Sequence, residues 1–228
     1  MKLDRRSLLA GTAAVLASPF AGATVARADA KRQSLVDQCL QSAQKVLSGK
    51  DFPDALKHMA NAKGVLIIPE LVQGGFILGA AGGRGTLLAH SKPNDWSYPA
   101  FYGMGSGSLG LQIGGKVSEI VFIILTEKGL NAILEKKFKF GAQAGITMVA
   151  IGAGFEGATT AAAGADIIAF SNSAGLFAGV SLEGSYIDAD NDWNALYYGP
   201  EATAKAIVID RRFTNPGAEP LRQFLAKW

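Results

Sequence analysis

Cysteine, histidine and charged residues are scarce in this sequence of 228 residues. The single cysteine, Cys39, excludes an internal disulfide, and its place in a helical apolar stripe predicts a small buried side chain. The two histidines, His58 and His90, each lack the nearby set of ligands that a metal site needs, so we expect no bound metal. Only 18% of the residues are charged and 49% are hydrophobic, which predicts one globular domain with a full core.

The small positive charge of the whole chain, +3, comes largely from its N-terminal segment. Residues 1–30 contain four basic and two acidic groups, which leaves 18 basic and 17 acidic groups in residues 31–228. A nearly neutral domain gains little from releasing counterions from phosphates. The composition therefore argues against a nucleic-acid partner.

The first thirty residues have the three-part layout of an export signal: a charged start, an apolar stretch at 7–20 and small residues up to 30. The apolar stretch is too short to cross about 30 Å of hydrocarbon. The segment Asp-Arg-Arg-Ser-Leu-Leu at 4–9 resembles a twin-arginine signal. Two A-x-A sites predict cleavage near Ala28 or Ala30, so we expect residues 31–228 to form a periplasmic domain.

Helical patterns occur near both ends of this domain and once inside it. Between residues 34 and 47 apolar side chains recur every three or four positions. A second, short helix is predicted from Pro53 or Asp54 to Ala62. Thr126 can cap an internal helix, and Pro220 begins a last amphipathic helix.

The remaining sequence consists mostly of short apolar runs separated by glycine, a pattern typical of strands. We predict strands at 65–69, 75–80, 84–90, 97–102, 108–113, 117–125, 146–151, 165–170, 176–182 and 206–209. Together with the helices they predict an α+β fold: a glycine-rich, mainly antiparallel, barrel-like sheet with N-terminal, internal and C-terminal helices.

Motifs for nucleotide binding and catalysis are present only in fragments. The G-x-G-x-x-G matches at 105–110 and 152–157 each continue into a strand pattern, whereas a dinucleotide site needs a following helix. Residues 188–192 carry the alternating oxygens of a calcium loop but lack its glycine and glutamate, so we expect a solvated turn. No G-x-S-x-G elbow occurs, and we expect a protein that is not an enzyme and has no cofactor.

Several sequence blocks resemble the signature blocks of the SYLF domain, in the same order. They are Ala-Lys-Gly-Val at 62–65, Gly-Gly-Phe at 74–76, Trp-Ser-Tyr-Pro-Ala-Phe at 96–101, Gly-Leu-Gln-Ile-Gly at 110–114 and Gly-Leu-Phe-Ala-Gly-Val-Ser-Leu-Glu-Gly at 175–184. The similarity extends over roughly residues 34–227.

This resemblance implies a phospholipid-binding module. Eukaryotic members bind phosphoinositides, some bind or bundle actin filaments, and an N-terminal amphipathic helix contributes to membrane contact. The matching helix here is at 31–47, which makes Lys31, Arg32 and Lys45 candidate lipid-binding residues; the alternative is a surface helix packed on its own domain. Residues 170–174 lack the basic residues of eukaryotic relatives, which favours general lipid contact over phosphoinositide selectivity. The expected periplasmic location argues against actin as a partner.

A second basic segment alternates lysines with aromatic residues. Lys136, Lys137 and Lys139 surround Phe138 and precede Phe140, as in an interfacial lipid-binding patch; a solvated turn after a helix is the alternative. The sequence therefore predicts a periplasmic, non-enzymatic protein that associates with phospholipid or a membrane surface. The alternative is a structural or protein-interaction module that packs against an envelope protein.

Overall fold

The computed structural model describes residues 19–48, 51–75, 78–109, 114–135, 137–142, 145–152, 163–172, 182 and 184–228. Most of the apolar stretch of the leader and the predicted strand at 176–182, apart from Leu182, lie outside the described residues.

The described helices lie near both ends of the chain and between strands. They are α1 (Pro19–Val46), α2 (Ala55–Met59), α3 (Glu127–Leu134), α4 (Asn191–Tyr198), α5 (Ala204–Val208) and α6 (Glu219–Leu225), with a 3-10 turn at Pro216–Ala218. The strands are β1 (Gly64–Gly75), β2 (Leu78–Lys92), β3 (Asp95–Trp96), β4 (Ala100–Leu109), β5 (Gly114–Ile124), β6 (Phe138–Lys139), β7 (Met148–Gly152), β8 (Ile167–Ser171) and β9 (Tyr186–Ala189).

These strands form one sheet in the order β6-β9-β4-β2-β1-β5-β8-β7, with β3 paired to β2. Every pair is antiparallel except β7 with β8, and the sheet curls into a half-barrel. The predicted α+β, mainly antiparallel, barrel-like fold is confirmed.

Helices cover both faces of the sheet, so the domain has two hydrophobic cores. On one face α1 places Cys39 and Ala43 against strand residues such as Ile67. On the other face α3 and α5 cover residues such as Phe122 and Ile124. Cys39 is fully buried, as predicted, and burial raises the pKa of its thiol to about 12.

A bulge in β1 changes which of its side chains face α1. The register shifts between Ile67 and Glu70 against β2, and between Ile68 and Leu71 against β5. An extra residue in one strand reverses the alternation of side chains beyond it. As a result Glu70 and Val72 lie on the α1 face of the sheet, beyond the segment that the helix covers.

All four predicted helices are confirmed, including the short second one as α2, and two local predictions are wrong. α1 contains the predicted stripe, Thr126 caps α3 by accepting a hydrogen bond from the Gly129 amide, and α6 contains Pro220. The predicted strand at 206–209 instead lies largely in α5, because the Thr203 side chain accepts from the Ala206 amide and starts a helix there. The predicted turn at 188–192 instead contains the end of β9 and the start of α4.

Within the described part of the chain, no helix is both long enough and apolar enough to cross a bilayer.

Candidate functional site: a groove between the first helix and the sheet

An open groove of about 1100 Å³ lies on the sheet beside α1 and extends to the junction of β9 and α4. At one end α4 contacts α1, where the Tyr197 hydroxyl donates a hydrogen bond to Gln33 Oε1 at 2.8 Å. The strands β1, β2 and β4 form its floor. Its lining residues are Ala30, Lys31, Ser34, Leu35, Gln38, Glu70, Val72, Gly82, Gly83, Arg84, Gly103, Met104, Tyr186, Asp188, Ala189, Asp190, Asn191, Asp192 and Trp193. The volume of about 1100 Å³ is slightly larger than the 300–1,000 Å³ that is usual for small-ligand pockets.

Part of the floor is bare backbone. A Cβ atom added at Gly82 or at Gly103 would meet no heavy atom within 4 Å. Internal packing therefore does not require glycine at either position, and the space above both is open. At Gly85, further along β2, the opposite holds: a Cβ would overlap the carbonyl oxygen of Ile67 next to the bulge.

Large apolar side chains border this bare backbone. Val72 is 49% exposed and Tyr186 is 47% exposed, and both line the groove. The Tyr186 ring lies over Gly105, where a Cβ would come within 2.8 Å of the ring carbon Cζ. Glycine at 105 thus lets the ring lie close against β4, and the groove combines an apolar floor with an aromatic side.

The far wall is held in place by the side chain of Asp190. Its Oδ1 accepts a hydrogen bond from the Trp193 amide at 3.1 Å and caps α4, while Oδ2 accepts from the Nε of Arg84 at 2.9 Å. The Arg84 guanidinium lies 4.6 Å from the centre of the Trp193 ring. One carboxylate thus joins the first turn of α4 to strand β2.

A buried asparagine ties the same helix to β4. Asn194 is fully buried, and its Oδ1 accepts a hydrogen bond from the Phe101 amide at 2.7 Å. The Phe101 carbonyl in turn accepts from the amide of Asp190 at 2.9 Å. The pairing of β9 with β4 ends at Tyr102 and Ala189. The start of α4 then makes the next hydrogen bonds to β4, at Phe101.

The groove is acidic. Four carboxylates line it, those of Glu70, Asp188, Asp190 and Asp192, against the two cationic groups of Lys31 and Arg84. Because Arg84 is already paired with Asp190, the remaining surface carries an excess of negative charge. Among the residues that the structure describes, these carboxylates included, no group of three or more His, Cys, Asp or Glu side chains is arranged to hold a metal ion.

The candidate lipid-binding residues of α1 lie in three different environments. Lys31 is exposed and lines the groove. Arg32 is only 4% exposed; its guanidinium pairs with Asp29 at 3.5 Å and lies 5.6 Å from the Trp193 ring centre. Lys45, near the C-terminal end of α1, pairs with Glu119 at 3.0 Å.

The second basic segment lies at the β6 edge of the sheet. Lys137 and Lys139 are exposed, and the Lys137 amide donates a hydrogen bond to Asp188 at 3.4 Å. Lys136 lies outside the described residues. The structure therefore divides the five described candidates between α1 and the β6 edge, and the role of all six predicted residues in lipid binding stays a prediction.

Sequence reasoning missed the residues that shape the groove. Asp190 followed by Trp193 is the pattern of an N-cap aspartate at a helix start, but the acidic run around it was interpreted as a turn. Gly82 and Gly103 gave no separate signal among 28 glycines, because only the sheet register places them on neighbouring strands, two positions apart, in open space.

A family model described as "Ysc84: Las17-binding protein actin regulator" matches residues 105–228. The match covers more than half of the chain, and the chain therefore belongs to the Ysc84 family, the family of the SYLF domain.

Three curated relatives illustrate the similarity. LAS seventeen-binding protein 3 of Saccharomyces cerevisiae is 34% identical over 176 residues, which cover 76% of this chain and 38% of the relative. Protein YSC84 of the same organism is 32% identical over 170 residues, 73% of this chain and 36% of the relative. The human SH3 domain-containing YSC84-like protein 1 is 29% identical over 183 residues, 78% of this chain and 53% of the relative. The chain thus spans between about a third and about half of these relatives.

The comparisons confirm the resemblance to the SYLF domain and correct the expected partners. Phospholipid or a membrane surface was the expected partner and actin was argued against. That expectation is wrong, because the family description and the relatives' names concern Las17 binding and actin regulation. The error arose because the export-signal pattern of residues 1–30 was used to exclude actin as a partner.

Proposed function

We propose that this chain is a non-enzymatic protein-interaction module whose partner belongs to an actin-regulating machinery. One observation carries the proposal: the family model of an actin regulator matches residues 105–228, and this stretch contains the β9–α4 wall of the groove. The activities of the full-length relatives are extended to this chain only as a proposal, because the matches cover 38% and 36% of the two yeast relatives.

The surface of the groove has the composition of a protein interface. Its exposed apolar groups, Val72 and Tyr186, lie beside Trp193 and Arg84. Tyrosine, tryptophan and arginine are the residue types that most often dominate the binding energy of protein interfaces. Exposed apolar groups collected in one concave surface also mark interaction sites in soluble domains.

The charge of the groove supports a protein partner over a phospholipid headgroup. Phosphate groups would meet the carboxylates of Glu70, Asp188 and Asp192, and like charges at short range repel. Of the cationic side chains predicted to contact anionic lipid, Arg32 is buried and Lys45 is paired with Glu119. The exposed ones are divided between α1, with Lys31, and the β6 edge, with Lys137 and Lys139.

Co-sedimentation of the full chain with actin filaments tests the proposal. Parallel samples contain neutral or anionic phospholipid vesicles, each at low and high salt. We expect the chain to pellet with filaments and to stay in the supernatant with both kinds of vesicle. Pelleting with anionic vesicles alone, or with neither probe, would contradict the proposal.

We also propose that residues 1–30 act as an export signal, as the sequence predicts. Replacement of both Arg5 and Arg6 by lysine should retain an unprocessed chain in the cytoplasmic fraction, because twin-arginine recognition depends on that pair. Cell fractionation and the mass of the secreted chain measure this. Unchanged processing in the Arg5→Lys, Arg6→Lys variant would contradict it.

A further inference from the structure

We infer that the groove receives a basic amphipathic helix of the partner protein, seated beside α1 on the same face of the sheet. The inference rests on the proposed function and adds to it the chemistry and the conformation of the partner segment. Three features of the groove carry it: strands without free edges, an acidic surface and a floor of bare backbone.

The floor favours a helix over an extended peptide. Gly82 of β2 is aligned with Val72 of β1 and with Gly105 of β4, and Gly103 of β4 is aligned with Asp188 of β9. Each floor strand is thus paired on both sides in this region, whereas a peptide that adds a strand needs an unpaired edge. A helix satisfies its own backbone groups and needs only an apolar surface.

α1 provides the wall against which such a helix packs. Its residues Lys31, Ser34, Leu35 and Gln38 line one side of the groove. The positions are three and four apart, so they form one continuous face of α1. Two packed helices lie about 8–10 Å apart. The seat is closed at one end, where α4 meets α1 and the Trp193 ring centre lies 5.6 Å from the Arg32 guanidinium.

The negative charge of the groove favours a partner helix with positively charged side chains. Glu70 and Asp192 are exposed on opposite sides of the floor, and Asp188 lies at its β9 side. Lysine or arginine side chains of the incoming helix would neutralise these carboxylates. Acidic or phosphorylated segments would be repelled, which makes charge a means of selecting partners.

The bare backbone determines where the apolar face of that helix lies. The space above Gly82 and Gly103 holds no heavy atom of this chain within 4 Å of a Cβ position. A large apolar side chain can therefore lie directly on the strands, between Val72 and Tyr186. Burial of such a side chain contributes about 1.5–3 kcal/mol.

Fluorescence anisotropy with synthetic peptides tests the inference on the full chain. The probe is a labelled peptide of about four helical turns, with leucines along one face and lysines along the other. One control peptide has the same composition in scrambled order, and another has glutamate in place of every lysine. We expect the first peptide to bind at least about tenfold more tightly than either control, and more weakly as salt screens the carboxylates.

Variants locate the peptide on the surface. Gly82→Val and Gly103→Val place a side chain in the open space above the floor, where an added Cβ meets no heavy atom within 4 Å, and put a strand-favouring residue in a strand. Each should fold normally and weaken peptide binding at least about tenfold. The double variant Glu70→Gln, Asp192→Asn should weaken binding several-fold, while Glu201→Gln, an exposed carboxylate away from the groove, should not.

Circular dichroism and urea unfolding confirm that each variant is folded. Equal affinity for the ordered and scrambled peptides, or unchanged binding by Gly103→Val, would overturn the inference. Filament binding that persists in a chain unable to bind the peptide would leave the proposed function standing and this inference wrong. Peptide binding without filament binding would leave this inference standing and the proposed function wrong.

Discussion

The side chains of Arg84 and Asp190 meet across the wall of the groove, with 2.9 Å between the arginine Nε and the aspartate Oδ2. The two residues are 106 positions apart in the sequence, one in strand β2 and the other at the N-cap of α4. Because the same carboxylate caps the helix, this pair links the start of α4 to the sheet. Together with the hydrogen bond from the Phe101 amide to Asn194, it holds the wall of the groove against the sheet.

Replacement of Asp190 by alanine should lower the free energy of unfolding by about 1–2 kcal/mol, because the cap of α4 is lost. Asparagine at the same position keeps an acceptor for the Trp193 amide and removes only the ion pair with Arg84, which is 52% exposed. Such a pair contributes less than about 1 kcal/mol. Urea unfolding of both variants measures the difference. Equal losses in the two would show that the cap contributes nothing.

The Asn194→Ala variant should lose about 2–3 kcal/mol of stability. Asn194 is fully buried, and its removal leaves the amide of Phe101 without its acceptor at 2.7 Å. Asn131→Ala, at an exposed position of α3, is the matched control and should change stability by less than about 0.5 kcal/mol. A similar stability of the two variants, measured by urea unfolding, would mean that water replaces the lost acceptor.

Asp166 should make the domain sensitive to acid. The Thr147 amide donates to Oδ2 at 2.8 Å and the Thr126 hydroxyl to Oδ1 at 2.7 Å; these bonds and the nearby Lys128 hold the pKa of the carboxyl below its usual value of 3.8. A lowered pKa stabilises the fold at pH values above the usual one, and this contribution is lost as the pH falls through the folded-state pKa.

Thermal unfolding between about pH 7 and about pH 2 measures this contribution. Asp166→Asn should be less stable than the parent at neutral pH, and the two unfolding temperatures should converge as the pH falls. Curves that run parallel over the whole range would show that the folded state does not favour the charged carboxylate.

Two glycines in the sheet should respond oppositely to the same substitution. A Cβ at Gly85 overlaps the carbonyl oxygen of Ile67, so Gly85→Ala forces the backbone of the bulge to move. Gly103→Ala meets no atom within 4 Å and removes a flexible residue from a strand. We expect a loss of more than about 1 kcal/mol for Gly85→Ala and little change or a small gain for Gly103→Ala. Equal urea midpoints for the two variants would contradict this account of the groove floor.

The sequence predicted those parts of the fold that depend on local patterns. The apolar stripe that contains Cys39 formed α1, and Thr126 capped α3. The predicted strand at 206–209 was wrong because an apolar run of four residues is too short to distinguish a strand from a helix. The Thr203 side chain accepts a hydrogen bond from the Ala206 amide and starts a helix there. The 15-residue strand β2 was divided into two predicted strands because Gly82 and Gly83 interrupt its apolar pattern.

The groove could not be predicted in the same way. Its walls come from segments such as residue 31 on α1 and residue 190 on α4, and only the sheet order brings them to one place. The bulge in β1 also moved Glu70 and Val72 to the α1 face, which a strict period of two does not foresee. Among the predicted site residues, Lys31 lies in the groove because α1 forms its wall.

The most direct test of this account compares filament binding by three forms of the full chain: the parent, Gly103→Val and Leu196→Ala. Gly103→Val blocks the floor of the groove, whereas Leu196 is an exposed apolar residue of α4 that does not line it. In co-sedimentation with actin filaments we predict that the parent and Leu196→Ala bind equally and that Gly103→Val loses at least about nine-tenths of its affinity, or 1.4 kcal/mol. Equal binding by all three forms would contradict the claim that the groove is the interaction site.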